Sequence, residues 1–343
     1  MLLPASDGDR SRPRLTVMRD VAKLAGVSHQ TVSRVLNNHP NVRQETRLRV
    51  LEAMQSLNYR RNLAARTLVT RQSDTLGIIG FETTLFGPAS MLYAIESAAR
   101  DAGYMVSIAS VRDLERRHVT EAIDRLTQHA VDGVIAIAPK LTVTNALAQA
   151  PPSLCCVAVG GAGEAPTVGI DNAAGARLAT QHLLDLGHTT VHHVAGPADW
   201  PEAQERVEGW RQTLYAAGAV VPPAEPGWWD AESGYARGRA LAADPRVTAI
   251  FCANDRIALG VLRALHEAGR RVPEDVSIIG YDDMPDAGYF LPPLTTIHQD
   301  FSELGRRALT LLLEHMSGAS TTHRVLVTPN LMARASTAPP PPR

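Results

Sequence analysis

From Thr75 onward, short apolar runs alternate with longer stretches of helical periodicity. The runs are Leu76–Gly80, Met105–Ala109, Gly133–Ala138, Leu154–Val159, Val191–Ala195, Ala249–Ala253 and Val276–Gly280. They lack regular polar alternation. Each therefore predicts a strand covered on both faces, as in a parallel sheet flanked by helices. Ala89–Ala102 and Val119–His129 are two of the intervening helical stretches. There are too many strands for one small sheet, so two α/β lobes are expected. Ligands of such folds bind beyond the C-terminal ends of strands. That singles out Gly80–Ala89, Gly160–Ala165, Gly196–Arg206, Asn254–Asp255 and Tyr281–Asp283.

Ahead of this region the period changes. In Asp20–Asn37, Val21, Ala22, Leu24 and Ala25 give a first helix an apolar side. Gly26 fits its end, where a left-handed backbone costs least without a Cβ. Ser28 is placed to cap a second helix. There Val32, Val35 and Leu36 fall at i, i+3 and i+4 and share one face. His29, Gln30, Ser33, Arg34 and Asn37 fall on the other. A short helix of this kind suits the DNA major groove, where Gln and Arg read adenine and guanine edges. An ordinary helical hairpin would also carry a solvated polar face, but the motif here is nearly complete. A third helix fits Glu45–Leu57, with Val50, Met54 and Leu57 inward. Arg43, Arg47, Arg49, Arg60 and Arg61 surround it as phosphate contacts, some of them simply solvated.

Charge sharpens this picture. The 343 residues carry a net charge of −1. Residues 1–73 hold 13 basic and 5 acidic groups, against 21 and 30 in the remainder. A basic head on an acidic body fits a phosphate-binding module joined to a body that does not touch nucleic acid. The expected organisation is a disordered basic tail (1–15), a helical head (16–61), a linker (62–73), a two-lobed core (74–337) and a disordered tail (338–343). The linker can be helical, but a helix so short is marginal in water and would order on DNA or at a dimer contact.

Catalytic and metal chemistry are not predicted. No Gly-x-Gly-x-x-Gly turn follows a strand, and no Gly-x-Ser-x-Gly or Walker sequence occurs. His192 and His193 lie in an expected strand, where neighbours point to opposite faces and cannot share a metal. Cys155, Cys156 and Cys252 lie in apolar runs without ligand spacing and read as buried small hydrophobes in a reducing cytosol. No cofactor and no metal site are expected. No run approaches ~18 apolar residues, so no membrane span is predicted. The start of the chain lacks an apolar stretch after Leu3 and predicts no secretory leader. A cytoplasmic protein is expected.

Several motifs occur in order: Asp20-Val-Ala, Ala25-Gly-Val-Ser28, Thr31-Val-Ser-Arg34, Asn58-Tyr59, Leu186-Gly-His188, Ala195-Gly-Pro197, Arg206 with Gly209-Trp210, Ala253-Asn-Asp255, Gly280-Tyr-Asp-Asp283 and Leu291–Phe301. On these the chain resembles the lac repressor family of bacterial transcriptional regulators over essentially its whole ordered length. The resemblance implies a helix-turn-helix head, a hinge helix in residues 62–73, and a core like periplasmic sugar-binding proteins. It implies a homodimer on a pseudo-palindromic operator, controlled by a sugar or glycoside effector. Ser28, His29, Gln30, Thr31, Ser33, Arg34, Asn37 and Asn62 then fall at DNA-contacting positions, and Leu68 matches the hinge leucine that wedges into the minor groove. A packed linker is the alternative for Leu68. Pro88, Arg206, Trp229, Asn254, Asp282, Gln299 and Phe301 match effector positions, an aromatic face and bidentate polar groups suiting a pyranose. Structural roles stay open beside these: Asp282 could cap a loop, Trp229 could be core beside Trp228, and Arg206 could pair with a carboxylate.

The chain also departs from the pattern. Val159-Gly-Gly-Ala-Gly163 stands where the family's namesake has an aspartate, Arg61 replaces the usual hinge proline, Thr16 and Val17 are shifted at the first helix, and His29 replaces a tyrosine. A β-galactoside is the first effector expected, from Leu291–Phe301. A corepressed or activating regulator and a solute-binding protein are the alternatives.

Overall fold

The computed structural model describes residues 16–36, 39–59, 72–81, 84–137, 140–161, 165–319 and 324–342. Asn37, Asn62 and Leu68 lie outside the described residues, as do the expected tail 1–15 and most of the linker 62–73. The chain divides into two compact units, residues 1–73 and 74–343.

In the first unit three helices enclose a small core. They are α1 (Met18–Ala25), α2 (His29–Leu36) and α3 (Gln44–Ser56). Val21, Ala22, Ala25, Val32, Val35, Val50 and Ala53 are buried together, with Met54 and Leu57 packed against them. Leu24, expected on the apolar side, is exposed. Gly26 ends α1 in the left-handed region at φ 64°. The Val17 amide donates to Asp20 Oδ2 at 3.0 Å, closing the first turn of α1.

The second unit is two lobes joined by three chain crossings. The first lobe holds a six-stranded parallel sheet in the order β11-β5-β4-β3-β1-β2. These strands are β1 (Thr75–Gly80), β2 (Met105–Ser110), β3 (Gly133–Ile137), β4 (Cys155–Val159), β5 (Thr167–Ile170) and β11 (Arg324–Val327). Alternate residues serve opposite faces. Leu76, Ile78, Ile135, Ile137, Val157 and Val159 pack on α4 (Phe86–Asp101) and α11 (Phe301–Met316). Ile79, Val134, Ala136 and Ala158 pack on α5 (Arg116–Gln128) and α6 (Leu141–Leu147). Adjacent Cys155 and Cys156 accordingly sit on opposite faces as free thiols, and burial pushes the Cys156 thiol up to about 12.

The second lobe holds a four-stranded parallel sheet, β7-β6-β8-β9, formed by β6 (His192–Ala195), β7 (Glu225–Pro226), β8 (Ala249–Cys252) and β9 (Ser277–Ile279). Helices α7 (Asn172–Asp185) and α8 (Pro201–Ala216) cover one face, α9 (Ala231–Ala243) and α10 (Asp255–Glu267) the other. An antiparallel pair, β10 (Thr296–His298) with β12 (Asn330–Met332), completes it. The chain crosses between lobes after β5, before α11 and after β11. The Asp171 amide donates to Val327 O at 3.0 Å, tying the first crossing to the third.

All seven apolar runs are strands. The runs passed over are short or face solvent on one side. β7 has two residues, and β11 and β12 carry exposed positions in alternation. The expected disordered tail 338–343 needs correction. Residues 338–342 form no helix or strand, yet the Ala338 amide donates to Ser277 Oγ at 2.9 Å. Buried His188 lies 3.0 Å from Ala338 O through Nε2 and 2.9 Å from Thr248 Oγ1 through Nδ1. The Leu186-Gly-His188 motif thus anchors the chain end.

Asp171, Asp230, Asn254 and Asp300 cap α7, α9, α10 and α11, each accepting a backbone amide at 2.8 Å. Helices α9 and α10 approach closely through reciprocal glycines. A Cβ on Gly260 would stand 2.4 Å from Tyr235 N and 2.0 Å from Ala231 O, and one on Gly234 2.1 Å from Ile257 O. Backbone cannot yield as a side-chain tip can, so Gly260→Ala should destabilise the core by about 3 kcal/mol. Gly87→Ala, where a Cβ meets nothing within 4 Å, should stay within about 0.5 kcal/mol of the parent. Urea unfolding of both variants checks the contrast.

Candidate functional site

The head presents one polar helix face. Ser28 Oγ accepts from the Thr31 amide at 3.1 Å, making Ser28 the expected cap, and pairs with Thr31 Oγ1 at 2.9 Å. Both hydroxyls are therefore engaged in starting α2. His29, Gln30 and Arg34 are exposed, while Thr31 and Ser33 are half-buried. The buried side of the same helix is Val32 and Val35. Arg47 donates to His39 O at 3.0 Å and so braces the loop after α2.

The core carries a cleft between its lobes, about 800 Å³ including space open to solvent. Strand ends from both sheets open into it, as the expected crevice rule requires. Pro88, Arg206, Trp229, Asn254, Asp282 and Gln299 all line it. Phe301 is not among the lining residues. It meets Phe86, which does line the cleft, edge-on at 5.9 Å. Phe301 starts α11 and packs against the first lobe's core, so its ring backs the wall.

The structure distinguishes the roles these side chains already fill. Arg206 is buried, with Nε donating to Asn172 Oδ1 at 2.9 Å and a further bond to Ala253 O. Its guanidinium carbon lies 3.7 Å from the centroid of the Tyr281 ring, and Nη1 lies 3.8 Å from Asp282 Oδ1. Asn254 Oδ1 caps α10, and Nδ2 donates to Trp229 O at 3.3 Å, so Asn254 holds two elements as well as lining the cleft. Asp282 adopts a φ of 107°, uncommon for a non-glycine residue and found where surrounding structure over-determines it. Gln299 Nε2 donates to its Oδ1 at 2.6 Å. Burial pushes the Asp282 carboxyl up to about 6 against the pull of Arg206. Trp229 is buried edge-to-face on Trp200 at 5.5 Å, and its Nε1 has no hydrogen-bond partner among the described residues.

Sequence reasoning missed Asn172, Trp200, Glu202, Glu205, Arg256 and Arg324, all of which line the cleft. Trp200, Glu202 and Glu205 lay in the stretch Gly196–Arg206 already singled out, Glu202 one helical turn before Arg206 and Glu205 next to it. Nothing local marks Arg324. It joins by an ion pair with Glu205 at 2.5 Å across the lobes. Lys140 with Asp199, also 2.5 Å, is a second such bridge. His193 is no ligand. It is buried and stacked on Phe251 at 4.5 Å, Nδ1 donates to Phe251 O, and burial holds it down at about 4. Among the described residues one set, Asp113, Glu115 and His118, gathers within metal-ligand reach, at the surface.

Head and core together define a protein that binds DNA with one unit and carries a ligand-sized cleft in the other. Comparison with known proteins agrees. Residues 17–62 match the model of bacterial regulatory proteins of the lacI family, and residues 180–337 match that of the periplasmic binding protein-like domain. The HTH-type transcriptional repressor PurR of Haemophilus influenzae is 34% identical over 334 residues, covering 94% of this chain and 98% of the relative. The ribose operon repressor of Escherichia coli is 33% identical, with 94% and 100% covered. The solved lac repressor dimer bound to operator and the anti-inducer ONPF superposes with a TM-score of 0.86 at 33% identity, over 95% of this chain and all of that one. The chain belongs to the lacI family and is a DNA-binding transcriptional repressor. The relatives are repressors, not enzymes. Among the described residues no helix is long and apolar enough to cross a membrane.

Asp255 gives the site a pH signature. It is buried, accepting Thr296 Oγ1 at 2.5 Å and the Met284 amide at 2.8 Å. Burial and then the nearby Asp282 charge push its carboxyl up to about 8 from 3.8. A carboxyl raised on folding contributes stability that is full below its unfolded value and lost as pH rises through the folded one. The stability advantage of the parent over Asp255→Asn should therefore shrink steadily between about pH 4 and pH 8. Paired thermal melts across that range check it, and an advantage that grows with pH would contradict it.

Proposed function

We propose that this repressor binds a pseudo-palindromic operator as a homodimer and is released by a neutral sugar or glycoside held between the core lobes. The observation that carries the effector half is the cleft's chemistry. The polar groups Arg206, Asn254, Asp282 and Gln299 converge beside the aromatic walls Trp200 and Trp229. Aromatic faces take the C–H side of a pyranose while the polar set serves its hydroxyls. Solved relatives fit this: the lac repressor bound to ONPG at 32% identity, and the regulator CelR in complex with cellobiose at 31%, TM-score 0.69. The lac repressor relative is itself a dimer on its operator.

On the DNA side, His29, Gln30 and Arg34 read base edges, supported by Ser28, Thr31, Ser33 and Asn37, with Asn62 and Leu68 acting from the hinge. Effector binding favours one lobe closure and so shifts the population able to order on DNA. β-Galactosides are the first candidates, followed by ribose and cellobiose.

Fluorescence anisotropy with an operator selected from random DNA tests the first half. Arg34→Ala should weaken binding by about 1–3 kcal/mol. The log–log salt slope should be about 0.9 per phosphate contact. Undiminished binding by a chain lacking residues 1–73 would refute the assignment.

The second half is tested by adding sugars to the bound complex. An active sugar should weaken operator binding about 5- to 150-fold. Asp282→Asn, which removes the charge but keeps the side chain's shape, and Arg206→Lys, which keeps the charge, should lose the response and keep operator binding, thermal melting confirming that each folds. A sugar that releases both variants as readily as the parent places the effector elsewhere.

A further inference from the structure

Glu202 is the cleft's unspent charge. It enters from the first turn of α8 in the second lobe. The Gly161 amide of the first lobe donates to its Oε1 at 3.1 Å. Its Oε2 is buried and has no hydrogen-bond partner among the described residues. Two neighbouring charges are already committed. Glu205 holds Arg324 at 2.5 Å and Asn172 at 3.2 Å. Arg206 serves Asn172, Ala253 and Asp282. Arg256, also in the lining, acts on Asp282 through its charge alone.

Gly160 and Gly161 follow β4 at φ 79° and 68°, a left-handed backbone that favours glycine. At these two positions the first lobe offers backbone, and a carboxylate reaches the same place from the opposite lobe. A buried acceptor without a partner costs free energy that a ligand hydroxyl recovers. Burial pushes the Glu202 carboxyl up to about 7, so it carries its full charge only above that pH. Trp229 Nε1, buried and unpartnered in the same cleft, supplies a donor for a ligand oxygen.

We infer that Glu202 is the specificity-determining residue of the cleft: its Gly161-anchored carboxylate accepts a hydroxyl of a neutral sugar and turns away sugar phosphates and sugar acids. This rests on the cleft being a sugar site. A carboxylate accepts a hydroxyl through a charge-assisted bond. A phosphate or carboxylate brought against it meets a like charge in a partly desolvated space.

Isothermal titration of the full chain, run above pH 7 so that Glu202 is ionised, tests it with matched probes: D-galactose, D-ribose and cellobiose against galactose 6-phosphate, ribose 5-phosphate and D-galacturonate. The parent should bind a neutral member and none of the anions. Glu202→Gln, with near-identical volume, should weaken that neutral sugar about 10- to 100-fold and admit its anionic counterpart. Glu202→Asp, which keeps the charge, should restore exclusion of the anion even where neutral affinity stays low. Thermal melting confirms that each variant keeps its fold. Equal neutral affinity in parent and Glu202→Gln, or a parent that binds an anion as tightly as its neutral counterpart, overturns the assignment. A panel in which parent and variants bind no sugar at all overturns the sugar reading itself, a distinct result.

Discussion

A buried guanidinium organises the core. Arg206 cannot shed its charge at any ordinary pH, so the chain around it must satisfy it. It does so from four directions: the amide oxygen of Asn172 at the start of α7, the carbonyl of Ala253 after β8, the face of Tyr281 and the carboxylate of Asp282 after β9. Of these, Asn172 and Asp282 line the cleft beside Arg206 itself. Removing a partner would leave a buried charge uncompensated, which is far costlier than losing a surface pair. The strained φ of Asp282 and the hydrogen bond from Gln299 are consistent with that demand.

The second requirement is that two lobes meet without merging. Their sheets do not share strands, and the chain crosses three times. Polar bridges span the gap at Lys140–Asp199, Gly161–Glu202 and Arg324–Glu205, all three landing on the segment 199–205. Ion pairs that reach water contribute little each. The two ion pairs, Lys140–Asp199 and Arg324–Glu205, are partly exposed, whereas the Gly161–Glu202 bond is partly buried; such polar bridges hold the lobes less firmly than an apolar seam of similar size would.

The head works by a simpler division. One side of α2 is buried through Val32 and Val35, and the other leaves His29, Gln30 and Arg34 in solvent. Ser28 and Thr31, also on the polar side, spend their hydroxyls on each other and on the helix start. The face therefore combines residues that build the helix with residues free to meet DNA.

Local periodicity let the sequence by itself determine the helix-turn-helix surface and seven of the core strands, because an amphipathic helix or a fully buried strand is written in consecutive residues. The family resemblance, not periodicity, pointed to Pro88, Arg206, Trp229, Asn254, Asp282 and Gln299, all of which line the cleft. Tertiary structure decided what local pattern does not record. Edge strands such as β11 alternate with solvent and merge with loop composition. Asn254 proved to be a helix cap and a brace as well as a cleft residue, and Phe301 proved to stand behind Phe86. Arg324 reaches Glu205 across 119 residues of chain. Whether a glutamate is solvated or held in the interior depends on which backbone amide lies opposite. For Glu202 that amide is Gly161 of the other lobe, a neighbour created only when the two lobes fold together.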